Sequence, residues 1–162
     1  MKNQSEFNLI LGTDSSELIY GTSGQDKVFG RDGDDDIRPG EGNDIVHGGK
    51  GNDLIFGGGS TDAEDNDNLY GEQGDDKIFG QSGDDRIFGG IGNDSAGGDL
   101  GNDLLEGDSG NDTLDGGSGN ASDTGIFRDT NRNNIFDAQD ELIGVVSDVK
   151  NLRLSGTYFN YV

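Results

Sequence analysis

Across residues 12–124 one nine-residue phrase is written about twelve times, and its period constrains the fold more than any other property of the chain. Gly48-Gly49-Lys50-Gly51-Asn52-Asp53-Leu54-Ile55-Phe56 states it most fully, as G-G-x-G-x-D-x-U-x with U aliphatic. Six positions of every nine carry turn chemistry and three remain for a short strand. Copies begin at Gly12, Gly21, Gly30, Pro39, Gly48, Gly57, Gly71, Gly80, Gly89, Gly98, Gly107 and Gly116.

Two columns stand out when the copies are aligned. The sixth position reads Glu17, Asp26, Asp35, Asp44, Asp53, Asp67, Asp76, Asp85, Asp94, Asp103, Asp112 and Ala121. The eighth reads Ile19, Val28, Ile37, Val46, Ile55, Leu69, Ile78, Ile87, Ala96, Leu105, Leu114 and Asp123. Strand alternation sends the eighth side chain inward and leaves the seventh and ninth outside. Two copies, eighteen residues, then form one coil with a strand on each side. Glycine at the first, second and fourth positions is expected to permit positive φ and to turn backbone carbonyls inward around a ligand. The fold class expected is all-β: a parallel β-solenoid with a core about one aliphatic side chain deep per strand, too thin to hold the fold alone.

Charge sharpens the problem. The chain has 33 Asp and Glu against 11 Lys and Arg, a formal −22, and only 28% hydrophobic residues. Such a composition describes a disordered chain unless something neutralises the carboxylates. It also argues against nucleic acid or anionic lipid as a partner. With no Cys there are no disulfides or thiolate metal sites, and a lone His47 excludes His-rich zinc or iron centres. No run approaches the ~20 apolar residues of a membrane span, and residues 1–6 lack the apolar core of a signal peptide.

Same-side turns lie two copies apart, which sorts the aspartates into columns Asp35, Asp53, Asp76, Asp94, Asp112 and Asp26, Asp44, Asp67, Asp85, Asp103. Carboxylates ~5 Å apart repel by roughly 0.8 kcal/mol per pair even in water. A hard cation between neighbouring turns converts that repulsion into a cross-link. Ligation by Asp and backbone carbonyls alone favours Ca2+, which accepts six to eight flexible oxygens, over Mg2+ with its tight octahedron. The candidate carbonyl donors are Gly30, Gly33, Gly48, Gly51, Gly71, Gly74, Gly80, Gly83, Gly89, Gly92, Gly98, Gly101, Gly107 and Gly110. Pairing neighbours within each column gives about eight intact sites, to which the end copies would add only weaker ones, since Glu17 and Ser15 replace Asp and Gly and Ala121 removes the last carboxylate. An unfolded calcium-free state follows.

Two copies are irregular. The one starting at Gly57 has fourteen residues, so 59–64 is expected to bulge while Asp67 and Leu69 keep register. Pro39 replaces the first Gly of its copy, where a missing donor is tolerable.

The phrase G-G-x-G-x-D-x-U-x resembles the calcium-binding nonapeptide of RTX, or hemolysin-type, proteins. That resemblance covers residues 12–124 and implies a right-handed β-roll that binds several calcium ions. It also implies export by type I secretion through an uncleaved C-terminal signal, to which the aromatic tail Tyr158-Phe159-Asn160-Tyr161-Val162 is compatible. Residues 1–11 would form an N-terminal cap strand and 125–162 a C-terminal β cap. Within that cap, 129–140 resembles the loop shared by EF-hands and dockerins, with Asp129, Asn131, Asn133, the Ile135 carbonyl and Asp140 as ligands. Asn134 stands where the pattern has Gly, and Asp140 where it has Glu. Strands are expected around Gly125-Ile126-Phe127, Leu142-Ile143-Gly144-Val145-Val146 and Leu152-Arg153-Leu154.

The ninth position carries Tyr20, Phe29, Phe56, Tyr70, Phe79 and Phe88, which pairs Phe56 with Phe79 on one face and Tyr70 with Phe88 on the other. Cross-strand packing is the simpler account of these rings, and a sugar-binding strip the sharper one. His47 also falls at a ninth position, with no Ser, Cys or carboxylate constellation beside it. The chain reads as non-catalytic. Two functions follow from the sequence: a secreted structural or adhesive calcium-binding module, and a carbohydrate-binding accessory module of a polysaccharide-modifying system, with extracellular polysaccharide or a surface partner as the ligand.

Overall fold

The computed structural model describes residues 7–59 and 65–117, with the backbone of 127–129 and 141–142. In chain order the strands are β1 (Asn8–Leu11), β2 (Leu18–Tyr20), β3 (Asp26–Asp32), β4 (Asp36–Arg38), β5 (Ile45–Lys50), β6 (Leu54–Gly58) and β7 (Asn68–Gln73). They continue with β8 (Lys77–Gln81), β9 (Arg86–Ile91), β10 (Ser95–Gly97), β11 (Leu104–Ser109), β12 (Thr113–Asp115), β13 (Phe127–Asp129) and β14 (Glu141–Leu142). Consecutive strands alternate between two sheets, ordered β1-β3-β5-β7-β9-β11-β13-β14 and β12-β10-β8-β6-β4-β2. No helix occurs among the described residues. The result is a parallel β-solenoid of about six turns, as the period requires.

Register follows the aliphatic column. Val28 faces Val46, which faces Leu69 in one sheet; Ile37 faces Ile55, which faces Ile78 in the other. Asp67 and Leu69 therefore hold their places across the fourteen-residue copy, although residues 60–64 lie outside the described residues. The core is the single file expected, from Ile19 and Val28 to Leu105 and Leu114, with Ala96 its one small member. Ile10 packs against it from β1, so the aliphatic column begins one strand earlier than the recognisable repeat.

Two expectations need correction. Strands are not uniformly three residues long: β3 has seven and β5, β7, β9 and β11 six each, while β2, β4, β10 and β12 keep three. The first turn residues continue the backbone ladder to the next coil, as when Arg31 and Asp32 pair with Gly49 and Lys50. Pro39 interrupts that ladder. It has no N–H to donate, β4 pairs with β6 only at Asp36 and Ile37, and contact resumes as an isolated bridge from Gly40 to Gly58.

The second correction concerns why glycine is needed. Positive φ occurs at the second position (Gly49 at 117°, Gly90 at 107°) and at the fourth (Gly51 at 124°, Gly92 at 154°), but not at the first. Second-position residues with side chains relax to φ 61–88°, inside or near the left-handed well, at Arg31, Glu72, Gln81, Asp99 and Asp108. At the first position the reason is close approach, developed below.

Beyond the repeat, β13 extends the larger sheet with a shifted register, Phe127 facing Glu106 and Asp129 facing Ser109, and β14 returns antiparallel. The 129–140 loop, apart from the backbone of Asp129, and the strands expected at 143–146 and 152–154 lie outside the described residues.

Candidate metal centre

All ten column aspartates, Asp26, Asp35, Asp44, Asp53, Asp67, Asp76, Asp85, Asp94, Asp103 and Asp112, are buried, none more than 2% exposed. Burying ionised carboxylates without compensation is costly. One oxygen of each is compensated within the fold. In the first column the Oδ1 atoms of Asp35, Asp53, Asp76, Asp94 and Asp112 accept the backbone N–H of Glu17, Asp35, Asp53, Asp76 and Asp94 at 2.8–2.9 Å. In the second, Asp44, Asp67, Asp85 and Asp103 accept from Asp26, Asp44, Asp67 and Asp85 at 2.7–2.9 Å. Each coil thus supplies the acceptor for a donor in the coil before it.

The other oxygen is not compensated. Oδ2 of Asp35, Asp44, Asp53, Asp67, Asp76, Asp85 and Asp94 is buried and accepts no hydrogen bond among the described residues. Asp26 differs, since its Oδ2 accepts the Thr22 N–H at 2.6 Å and the Thr22 hydroxyl at 3.0 Å. Burial, partly opposed by the backbone N–H bonds and reinforced by neighbouring carboxylates, pushes Asp44, Asp67 and Asp85 up to about 8, Asp76 to about 7, and Asp53 and Asp94 to about 6. Asp35 is raised for the same leading reason.

First-position glycines keep this region open. A Cβ on Gly30 would stand 2.6 Å from Asp35 Oδ2; on Gly89 it would stand 2.5 Å from Asp94 Oδ2 and 2.9 Å from the Gly107 carbonyl oxygen. On Gly48 and Gly80 it would meet the carbonyl oxygens of Gly71 and Gly98 at 2.9 and 2.8 Å, and Gly71 and Gly107 are as crowded. At the fourth position the carbonyls of Gly33, Gly51, Gly74, Gly83 and Gly92 face Gly51, Gly74, Gly92, Gly101 and Gly110 of the next coil. In the turns of Asp35, Asp53, Asp76, Asp85 and Asp94 the orphaned carboxylate oxygen therefore shares its surroundings with close-packed backbone carbonyls. That donor set fits a hard divalent cation of flexible coordination. Among the described residues no three carboxylate or imidazole groups gather at one point; the buried aspartates of the sixth position stand one per turn.

A family model for the RTX calcium-binding nonapeptide repeat matches residues 11–46, 39–63, 63–96 and 97–121. The chain belongs to that family. No curated protein and no solved structure matches it significantly. Calcium is accordingly the cation this RTX roll takes, and repeats of the family are typically not catalytic.

Sequence reasoning missed a second ladder outside the first. At the fifth position Asp34, Asn52, Asp75, Asn93 and Asn111 donate their N–H to the side-chain oxygen of Ser16, Asp34, Asn52, Asp75 and Asn93, at 2.7–3.1 Å. Asn66, Asp84 and Asn102 do the same with Asn43, Asn66 and Asp84. Interspersing Asn with Asp lowers the charge of columns that would otherwise be further rows of carboxylates.

The outer faces carry the expected rings and one more. Phe56 stacks on Phe79 at 5.4 Å, and Tyr70 on Phe88 at 5.1 Å. His47 bridges Phe29 (4.7 Å) and Tyr70 (4.9 Å), making four rings in one file, and its Nδ1 lies 2.8 Å from Glu72 Oε1. Arg38 covers Phe56 and Lys27 covers Phe29. Among the described residues no helix is long and apolar enough to cross a membrane.

Proposed function

We propose that this chain is a secreted structural module whose folding is driven by about eight calcium ions. The supporting observation is the series of buried, orphaned Oδ2 atoms facing next-coil carbonyls. Asp26, Asp35, Asp44, Asp53, Asp67, Asp76, Asp85, Asp94, Asp103 and Asp112 hold the ions with the first- and fourth-position carbonyls of adjoining turns. Asp26, engaged by Thr22, gives the weakest member of its column. The cation supplies charge neutralisation and a link between successive coils. RTX repeat proteins are commonly extracellular, where calcium is plentiful, and in this reading 125–162 closes the roll, carries the 129–140 loop as a separate calcium site and contains the type I export signal.

Calcium titration of the full chain, with ion counting and far-UV circular dichroism, tests this. The spectrum should be coil-like in chelator at neutral pH and become β-rich cooperatively at millimolar calcium, with about eight ions taken up. A β spectrum that persists in excess chelator at neutral pH rules the mechanism out.

A polysaccharide-binding role has one feature in its favour, a groove of about 510 Å³ on the smaller sheet lined by Thr22, Ser23, Arg38, Glu41, Phe56 and Gln81. The aromatic files themselves argue less for it. Their rings are parallel within 5–17°, so most faces that a sugar would stack on are covered by neighbouring rings. Glycan arrays in calcium, comparing wild type with Arg38→Ala and Phe56→Ala, decide the point: binding that is absent, or indifferent to both, removes this role.

A further inference from the structure

The two turns of the first coil, at 12–17 and 21–26, carry threonine at the second position. From Arg31 to Gly117 every second-position residue has positive φ, but Thr13 and Thr22 do not. Gly24, at the fourth position, also departs from the positive φ of Gly33, Gly42 and Gly51. The turn at 21–26 therefore follows a different path from the nonapeptide turns after it, and on that path the threonine reaches the buried carboxylate.

Thr22 meets there the two kinds of oxygen assigned to a cation in the later turns, a sixth-position carboxylate and a fourth-position carbonyl. Its hydroxyl donates to Asp26 Oδ2 at 3.0 Å, with Asp26 Oδ1 at 3.2 Å and the Gly24 carbonyl oxygen at 3.4 Å. The same Oγ1 accepts the Gly24 N–H at 3.3 Å and the Asn8 side-chain amide at 3.1 Å. The Thr22 N–H adds a bond of 2.6 Å to Asp26 Oδ2. Asp26 is 0% exposed, so these donors supply the compensation that burying a carboxylate requires. In the other turn of the coil the Thr13 hydroxyl bonds Glu17 Oε1 in the same way, second position to sixth. A side chain at the second position is not sufficient by itself. Arg31, Glu72 and Gln81 have positive φ, and Oδ2 of Asp35, Asp76 and Asp85 in their turns accepts no hydrogen bond among the described residues.

We propose that Thr22 is a built-in competitor of calcium at the site shared by the Asp26 and Asp44 turns, so that this site fills last and the first coil keeps its form when the ion leaves. The proposal rests on the calcium-driven folding above. The two turns are joined already, since Asp44 Oδ1 accepts the Asp26 N–H at 2.7 Å. An ion entering there must displace a hydrogen bond to a charged, buried oxygen, and its affinity falls accordingly. Loss of an ion from a later turn strands a buried carboxylate oxygen, whereas here it returns Asp26 to the threonine. The N-terminal end of the roll thus loads and unloads calcium against a stack that is already wound.

Isothermal titration of the full chain with calcium at neutral pH tests this, using wild type, Thr22→Gly and Thr22→Ser. Wild type should show one site about tenfold or more weaker than the rest. Thr22→Gly, which restores the residue of the repeat, should tighten that site into the main class. Thr22→Ser, which keeps the hydroxyl, should leave it weak. A wild-type isotherm without a weaker site, a Thr22→Gly isotherm that retains it, or a Thr22→Ser isotherm that loses it overturns the proposal while leaving calcium-driven folding intact. Should Thr22→Gly not fold, wild type alone decides by nuclear magnetic resonance. Its Thr22 amide signal should move a second time in the last step of the titration, after the roll has folded, and a titration without that second shift is equally decisive against the proposal. Failure of wild type to take up calcium at all instead defeats the underlying reading.

Discussion

Removing calcium at different pH values probes the buried carboxylates directly. An unfolded Asp titrates near 3.9, whereas the folded roll holds Asp44, Asp67 and Asp85 up at about 8. The folded state without metal thus binds protons that the unfolded state has released, and stability falls as pH rises from about 4 towards 8. Each unit of difference is ~1.4 kcal/mol, so by pH 7 each of these three groups costs roughly 4 kcal/mol. Together they cost over ~10 kcal/mol, comparable with the entire stability of an ordinary domain. In chelator the chain should be unfolded at pH 7–8 and gain β structure on acidification to about pH 4–5, followed by far-UV circular dichroism at low protein concentration with light scattering as a control. A second readout separates the alternatives. If calcium-free chains are unfolded at pH 7, their aspartates are already ionised, and calorimetry in buffers of different ionisation enthalpy should record little proton release on calcium uptake. Release of several protons per chain, or a chelator-treated β spectrum that strengthens with rising pH, would refute the reasoning.

Three further outcomes are expected. Gly51→Ala places a Cβ at φ 124° and 2.5 Å from the Gly33 carbonyl carbon, and should cost roughly 3 kcal/mol or more, whereas Gln81→Gly, relieving φ 75°, should gain less than about 1 kcal/mol; urea melts in saturating calcium measure both. Ile55→Ala empties a fully buried place between Ile37 and Ile78 and should lose about 2–5 kcal/mol, with Leu9→Ser, 63% exposed, within about 0.5 kcal/mol of wild type. His47→Phe should preserve the ring file while His47→Ala breaks it at a cost of about 0.5–1.5 kcal/mol, read from the same melts.

What the sequence disclosed and what it hid divide along a physical line. Columns that demand one residue type were legible: the aspartates, the aliphatics, and the pairs Phe56–Phe79 and Tyr70–Phe88, because register follows from the period alone. Columns that demand only a function were not. The fifth position needs a side-chain oxygen to accept an N–H, and Ser16, Asn52 and Asp75 meet that need equally, so no single residue type is demanded. In the sequence His47 stands chemically isolated, yet a flat ring of any kind continues the file between Phe29 and Tyr70. Ile10 lies in a copy with no glycines to announce it.

Regular register also has a hazard. A coil built of near-identical parts can lie on its second neighbour almost as well as on its first, with one intervening coil looped out, since the aspartate, glycine and aliphatic columns match either way. Only the departures from uniformity tell one alignment from another. The ring file that runs Phe29, His47, Tyr70, Phe88, the proline at 39 and the five added residues before Asp65 are each present once. They serve the chain as page numbers, and a sequence idealised to twelve perfect copies would bind its ions yet lose its place.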